Sequence, residues 1–71
     1  ANFKSKLINW AQRERKAVEF ELLEEVENGG KRLLRVRLLI DGQELSRGED
    51  YSKKRAEQIA AEKACTSLGL S

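Results

Sequence analysis

Ser52-Lys53-Lys54-Arg55-Ala56-Glu57-Gln58-Ile59-Ala60-Ala61-Glu62-Lys63-Ala64 is the stretch on which the fold turns. Alanines at 56, 60 and 64 recur at i,i+4, with Ala61 and Leu68 beside them and no breaker before Gly69. That spacing predicts a helix. Its apolar stripe is narrow and made of small residues, so the helix can approach a neighbouring layer closely. Ser52 is a good N-cap. The first turn, however, carries Lys53, Lys54 and Arg55, where the helix dipole favours Asp and Glu. Each misplaced cation costs roughly 0.3–1 kcal/mol at low salt. A helix start already attracts anions through its free N–H groups, and three added cations make sense if an anion such as phosphate sits there. A local rule broken in this way points to a functional site.

Upstream of this helix lie three strand signals and one more helix. Phe3, Leu7, Trp10 and Ala11 share one face of a 3.6-residue period, which predicts a helix from about Phe3 to Lys16 with Asn2 as its N-cap. Phe20, Leu22 and Val26 alternate with Glu19, Glu21 and Glu25, the pattern of a half-buried strand with an acidic outer face. Asn28-Gly29-Gly30 reads as a tight hairpin turn. Leu34, Val36, Leu38 and Ile40 then fall on one face of a second strand, with Arg35 and Arg37 on the other. Asp41-Gly42 closes a second hairpin, a third strand runs from about Gln43 to Gly48, and Glu49-Asp50-Tyr51 forms the loop into the last helix.

The order α-β-β-β-α defines an α+β fold. Its three-stranded antiparallel sheet has one apolar face, and two helices packed on that face complete a single core. Arg35 and Arg37 face away from the helices, toward an acidic first strand, and are expected to form cross-strand ion pairs with Glu19, Glu21 or Glu25. Trp10 and Phe20 are assigned to the core.

Seventy-one residues make one small domain, taken as 1–71 with a core of about 3–70. A chain of this size buries only about 60% of its unfolded surface, so its stability margin is a few kcal/mol. Cys65 is the single cysteine, which excludes an internal disulfide and suits a reducing, cytoplasmic setting. With no histidine to activate it, Cys65 reads as a small buried apolar residue. No apolar run approaches the ~18 residues of a membrane span. The absence of methionine and the Ala-Asn start suggest a segment of a larger protein. Net charge is only +2, yet residues 1–18 carry +4 and residues 19–30 carry −5. Such segregation predicts basic patches beside acidic surface.

With this order established, the chain resembles the double-stranded-RNA-binding domain family over residues 3–70. The resemblance rests on Lys4-Ser5-Lys6-Leu7 in the first helix, Asp41-Gly42 between strands two and three, and Gly48 in the third strand. It rests most of all on Ser52-Lys53-Lys54 with Ala56, Ala60, Ala61 and Ala64. The Glu57-Gln58 continuation and the Ala-Ala-Glu-Lys-Ala run are most similar to the form at the C-terminus of bacterial ribonuclease III.

The resemblance implies recognition of A-form duplex by shape, over about 16 base pairs, through two minor grooves and the major-groove phosphates between them. It implies three contact regions. Lys4, Ser5, Ile8 and Asn9 match the first, on the exposed face of the first helix, although Ile8 cannot hydrogen-bond. The second is the turn between strands one and two, where the family often shows Gly-Pro-x-His. Here Glu27-Asn28-Gly29-Gly30 stands in its place, leaving Asn28, the Gly30 backbone, Lys31 and Arg32 as candidates. Lys53 and Lys54, with Arg55 as accessory, match the third. Glu57 stands where many members carry another lysine and, as an acid early in the helix, is expected to offset part of the dipole mismatch.

On the same resemblance the parent is a homodimeric ribonuclease III that cleaves duplex RNA in RNA processing, with Mg²⁺ held by carboxylates in a separate catalytic domain. The segment itself is expected to be monomeric, to take duplex RNA and no small-molecule substrate, to need no cofactor, and not to be an enzyme. Two other readings stay open: the same domain in a helicase or RNA-modifying enzyme, and a domain of this fold turned to protein interaction.

Overall fold

In the computed structural model, which describes residues 2–70, helix α1 spans Phe3–Glu14 and helix α2 spans Lys53–Ser67. Between them lie strands β1 (Val18–Asn28), β2 (Lys31–Ile40) and β3 (Gln43–Asp50), forming an antiparallel sheet in the order β1-β2-β3. Both N-caps form as the sequence predicts. Asn2 Oδ1 accepts from the Ser5 amide at 3.1 Å, and Ser52 Oγ accepts from the Arg55 amide at 3.4 Å. α1 stops two residues before Lys16 because Arg15 turns left-handed (φ 56°, ψ 45°) and its N–H returns to the Ala11 and Gln12 carbonyls.

Both hairpins use two-residue turns with positive φ at both positions. These are Gly29 and Gly30 (φ 60° and 82°) and Asp41 and Gly42 (φ 49° and 81°). Asp41 also ties the α1–β1 link to the second hairpin. Its Oδ1 accepts from the Ala17 amide at 2.8 Å, and its own N–H donates to the Ala17 carbonyl at 2.8 Å.

β1 departs from simple alternation. Pairing runs from Val18↔Ile40 to Leu22↔Val36, then resumes at Glu24↔Arg35, leaving Leu23 as a bulge. One extra residue exchanges the two faces of everything beyond it. Val26 therefore sits opposite Leu33 on the outer face and Glu25 opposite Leu34, the reverse of the predicted assignment. β3 is also longer than predicted, pairing through Glu49 and Asp50. A second irregularity leaves Leu45 unpaired between Ser46 and Glu44.

The core joins Leu7 of α1, Val36 and Leu38 of β2, and Ala56, Ala60, Ala61, Ala64 and Cys65 of α2. Trp10 and Phe20 pack against it, half-buried, as expected of core aromatics. Burial pushes the Cys65 thiol pKa up, which keeps it protonated and unreactive. Ser46 reaches from β3 to the same layer, donating its hydroxyl to the Ala60 carbonyl at 2.6 Å.

The opposite face of the sheet is a lattice of charges. Arg37 meets Glu21 at 2.7 Å and Glu44 at 3.5 Å, while Arg35 bridges Glu24 at 2.6 Å and Glu49 at 2.7 Å. Of the partners expected for these arginines only Glu21 is used; the bulge brings in Glu24, and β3 adds Glu44 and Glu49. The hydrogen bonds of Arg35 to Glu49 and then Glu24 raise its pKa, and the hydrogen bond from Arg47 lowers that of Glu44. Because Glu44 is held below the ordinary carboxylate range, its contribution to stability is present at neutral pH and is lost as acid protonates it.

Candidate nucleic-acid interface

The start of α2 and the exposed side of α1 meet along one shallow groove of about 570 Å³. Asn2, Ser5, Ile8, Lys53, Lys54 and Gln58 line it, with Lys4 and Glu57 at its floor. Two of the three regions predicted from sequence are thus one continuous surface. Asn9 is exposed on α1 but does not line the groove.

Lys53 and Lys54 are exposed at the first two positions of α2, and neither forms an ion pair among the described residues. No acid occupies the first turn, so the N–H groups of the helix start and the two ammonium groups present one positive field to solvent. Arg55 is less free. Its Nε lies 3.7 Å from Asp50 Oδ2, the oxygen that also accepts the Ser52 amide at 3.0 Å. Asp50 therefore supplies part of the negative charge that the first turn lacks.

Glu57, expected from the sequence to offset part of the dipole mismatch, has an ion-pair partner on the other helix. Its side chain is 12% exposed and turned toward α1, where it holds Lys4 Nζ at 2.6 Å. The Lys4 ammonium also stands 5.0 Å from the Phe20 ring centroid. Nearby, Gln58 Nε2 donates to Asn2 Oδ1 at 2.9 Å, and Gln58 Oε1 accepts the Lys4 amide at 3.3 Å. These contacts fix the angle between the helices and hence the shape of the groove. They also neutralise one of its predicted cations. Glu57→Gln is expected to lower stability by about 1 kcal/mol. The same change releases Lys4 and raises affinity for an anionic duplex two- to fivefold, read by thermal melting and titration.

The predicted second region lies at the tip of the β1–β2 hairpin. Asn28 and Lys31 face each other across the turn, and Arg32 is paired with Glu25 at 3.4 Å. Tyr51, which the sequence reading left in a loop, touches this tip. Asn28 Nδ2 donates to Tyr51 Oη at 2.7 Å, and Lys31 Nζ stands 5.7 Å from the Tyr51 ring centroid. The available signal was its position, as the only tyrosine of the chain and the residue directly before the Ser52 cap.

Comparison with known proteins agrees with this geometry. Residues 3–68 match the family described as "Double-stranded RNA binding motif". The chain is 39% identical over 64 residues to the Ribonuclease 3 of Bacteroides thetaiotaomicron, covering 89% of this chain and 21% of that protein. It is 41% identical over 61 residues to that of Phocaeicola vulgatus, covering 84% and 20%, and 34% identical over 62 residues to that of Flavobacterium psychrophilum, covering 87% and 25%. The chain thus spans a fifth to a quarter of the length of these relatives. With the element order, the shared groove and the sequence match in agreement, the chain belongs to the double-stranded RNA binding motif family.

Proposed function

We propose that this chain binds double-stranded RNA and serves as the substrate-holding module of a ribonuclease III. One observation carries the reading: the polar side of α1 and the cationic start of α2 face the same groove. Hydroxyl and amide groups of Ser5, Asn2 and Gln58 can meet ribose hydroxyls, while Lys53 and Lys54 meet phosphates beside them. Ribose 2′-hydroxyls occur only in RNA, and the spacing of phosphates across the grooves is peculiar to A-form geometry. Cleavage is assigned to the rest of a longer, homodimeric, cytoplasmic protein that processes RNA. On the same reading, the carboxylates that hold Mg²⁺ belong to that remaining part.

Titration of this chain with an RNA duplex longer than about 16 base pairs, the matching DNA duplex and single-stranded RNA, across a salt series, tests the reading. Duplex RNA is expected to bind tightest, with affinity falling steeply as salt rises. Equal affinity for the DNA duplex, or binding to none of the three, overturns it. A fragment that engaged only another protein would give the second result.

A further inference from the structure

β2 pairs with β3 only from Leu34, opposite Asp50, so residues 31–33 and their β1 partners overhang the three-stranded sheet as a bare two-stranded tip. A two-stranded ribbon is marginal in water without further support. Tyr51 follows Asp50 directly and stands where that support is missing. Its hydroxyl takes the Asn28 amide at 2.7 Å, and its ring lies 5.7 Å from the Lys31 ammonium. One residue further on, Ser52 caps α2 and sets Lys53 and Lys54. A single side chain therefore joins the hairpin tip to the cationic helix start.

We infer that Tyr51 is a positioning residue, a clasp that holds Asn28 and Lys31 at a fixed offset from Lys53 and Lys54 so that both can meet one duplex. The inference rests on the duplex-RNA reading above. A-form RNA sets the distance between its second minor groove and the major-groove phosphates. A tip free to sway would have to be ordered on binding, at a cost in affinity, whereas a clasped tip is ordered beforehand. Gly29 and Gly30 give the turn no side chains of its own with which to brace the tip, so the brace comes from outside it, at Tyr51.

The clasp makes a prediction that depends on duplex length. A duplex longer than about 16 base pairs engages groove and tip together, whereas one of about half that length engages one region at a time. Tyr51→Phe removes the hydrogen bond and keeps the ring under Lys31. It is expected to weaken binding to the long duplex about three- to tenfold and leave the short duplex unchanged. The slope of affinity against salt should not move, because no cation is lost. Asn28→Ala should weaken long-duplex binding at least as much, since it removes its own contact as well as the clasp, and adding Tyr51→Phe to it should cost nothing further. In the free protein, Tyr51→Phe should shift the Asn28 side-chain amide resonances while leaving the melting temperature within a degree or two. Long-duplex binding like that of the unaltered chain, or an equal loss on both lengths, overturns the clasp. Failure of the unaltered chain to bind either RNA duplex overturns the RNA-binding reading itself, and the clasp's role with it.

Discussion

Changing Lys53 and Lys54 together to alanine is expected to weaken binding to duplex RNA by about a hundredfold or more. A charge-assisted hydrogen bond is worth about 1.5–3 kcal/mol, and two are lost. The slope of log affinity against log salt should become shallower by about 1.5–2, the share of two phosphate contacts. Folding is expected to survive, because both side chains are exposed and neither forms an ion pair among the described residues. Removing two cations from the positive end of a helix relieves repulsion of about 0.3–1 kcal/mol each, so the melting temperature should hold or rise by a few degrees. Titration at several salt concentrations, with a melt of the same sample, checks both halves. A double variant that binds as before would place the interface elsewhere. One that unfolds would make the lysines structural.

The size of that loss follows from how few of the candidate cations are uncommitted. Lys4 is held by Glu57, Arg55 by Asp50, and Arg32 by Glu25. Arg35 and Arg37 belong to the charge lattice of the opposite face. Lys31, over the Tyr51 ring, is the remaining candidate cation with no ion pair among the described residues. A chain with fourteen Lys and Arg therefore directs few of them at the groove and tip. Within the sheet, the acids of β1 and the arginines of β2, segregated along the sequence, meet as cross-strand pairs.

Much of this is legible in the sequence. The element order, both N-caps and both hairpin turns follow from local chemistry: capping side chains, positive-φ residues and the period of apolar positions. Three features the sequence does not reveal share a cause. The Leu22-Leu23 doublet keeps its hydrophobicity while breaking alternation, and only pairing with β2 shows which leucine is the bulge. The pairing of Glu57 is hidden because its partner, Lys4, is 53 residues away. Tyr51 does lie in the loop before α2, but its contact with Asn28, 23 residues back, is not legible there. Each depends on a contact between elements that no local pattern encodes.

Gly48 carries the other large effect, on folding rather than on binding. It was matched to the family as a position, and the structure supplies the reason. A Cβ built there overlaps the Ala56 carbonyl oxygen and lies 2.7 Å from the Ala60 amide nitrogen, both backbone atoms of α2. No side-chain rotation relieves this, so helix and sheet must separate. Separation would loosen Val36 and Leu38 from the alanine ridge that packs on them. Gly48→Ala is therefore expected to cost about 3 kcal/mol or more, above the usual range for one added methyl because both obstacles are backbone. That is comparable with the whole margin of a domain this small, so the variant should show no cooperative transition in thermal or urea melts. Gly30→Ala is the control. There φ is +82° but nothing lies within 4 Å, so only the left-handed conformation is penalised, by about 1–2 kcal/mol, and the fold should persist. Away from α2, alanine in a strand would be worth about 0.5–1 kcal/mol over glycine. A Gly48→Ala protein that melts cooperatively near the original temperature would show that α2 does not sit as close to β3 as this packing requires.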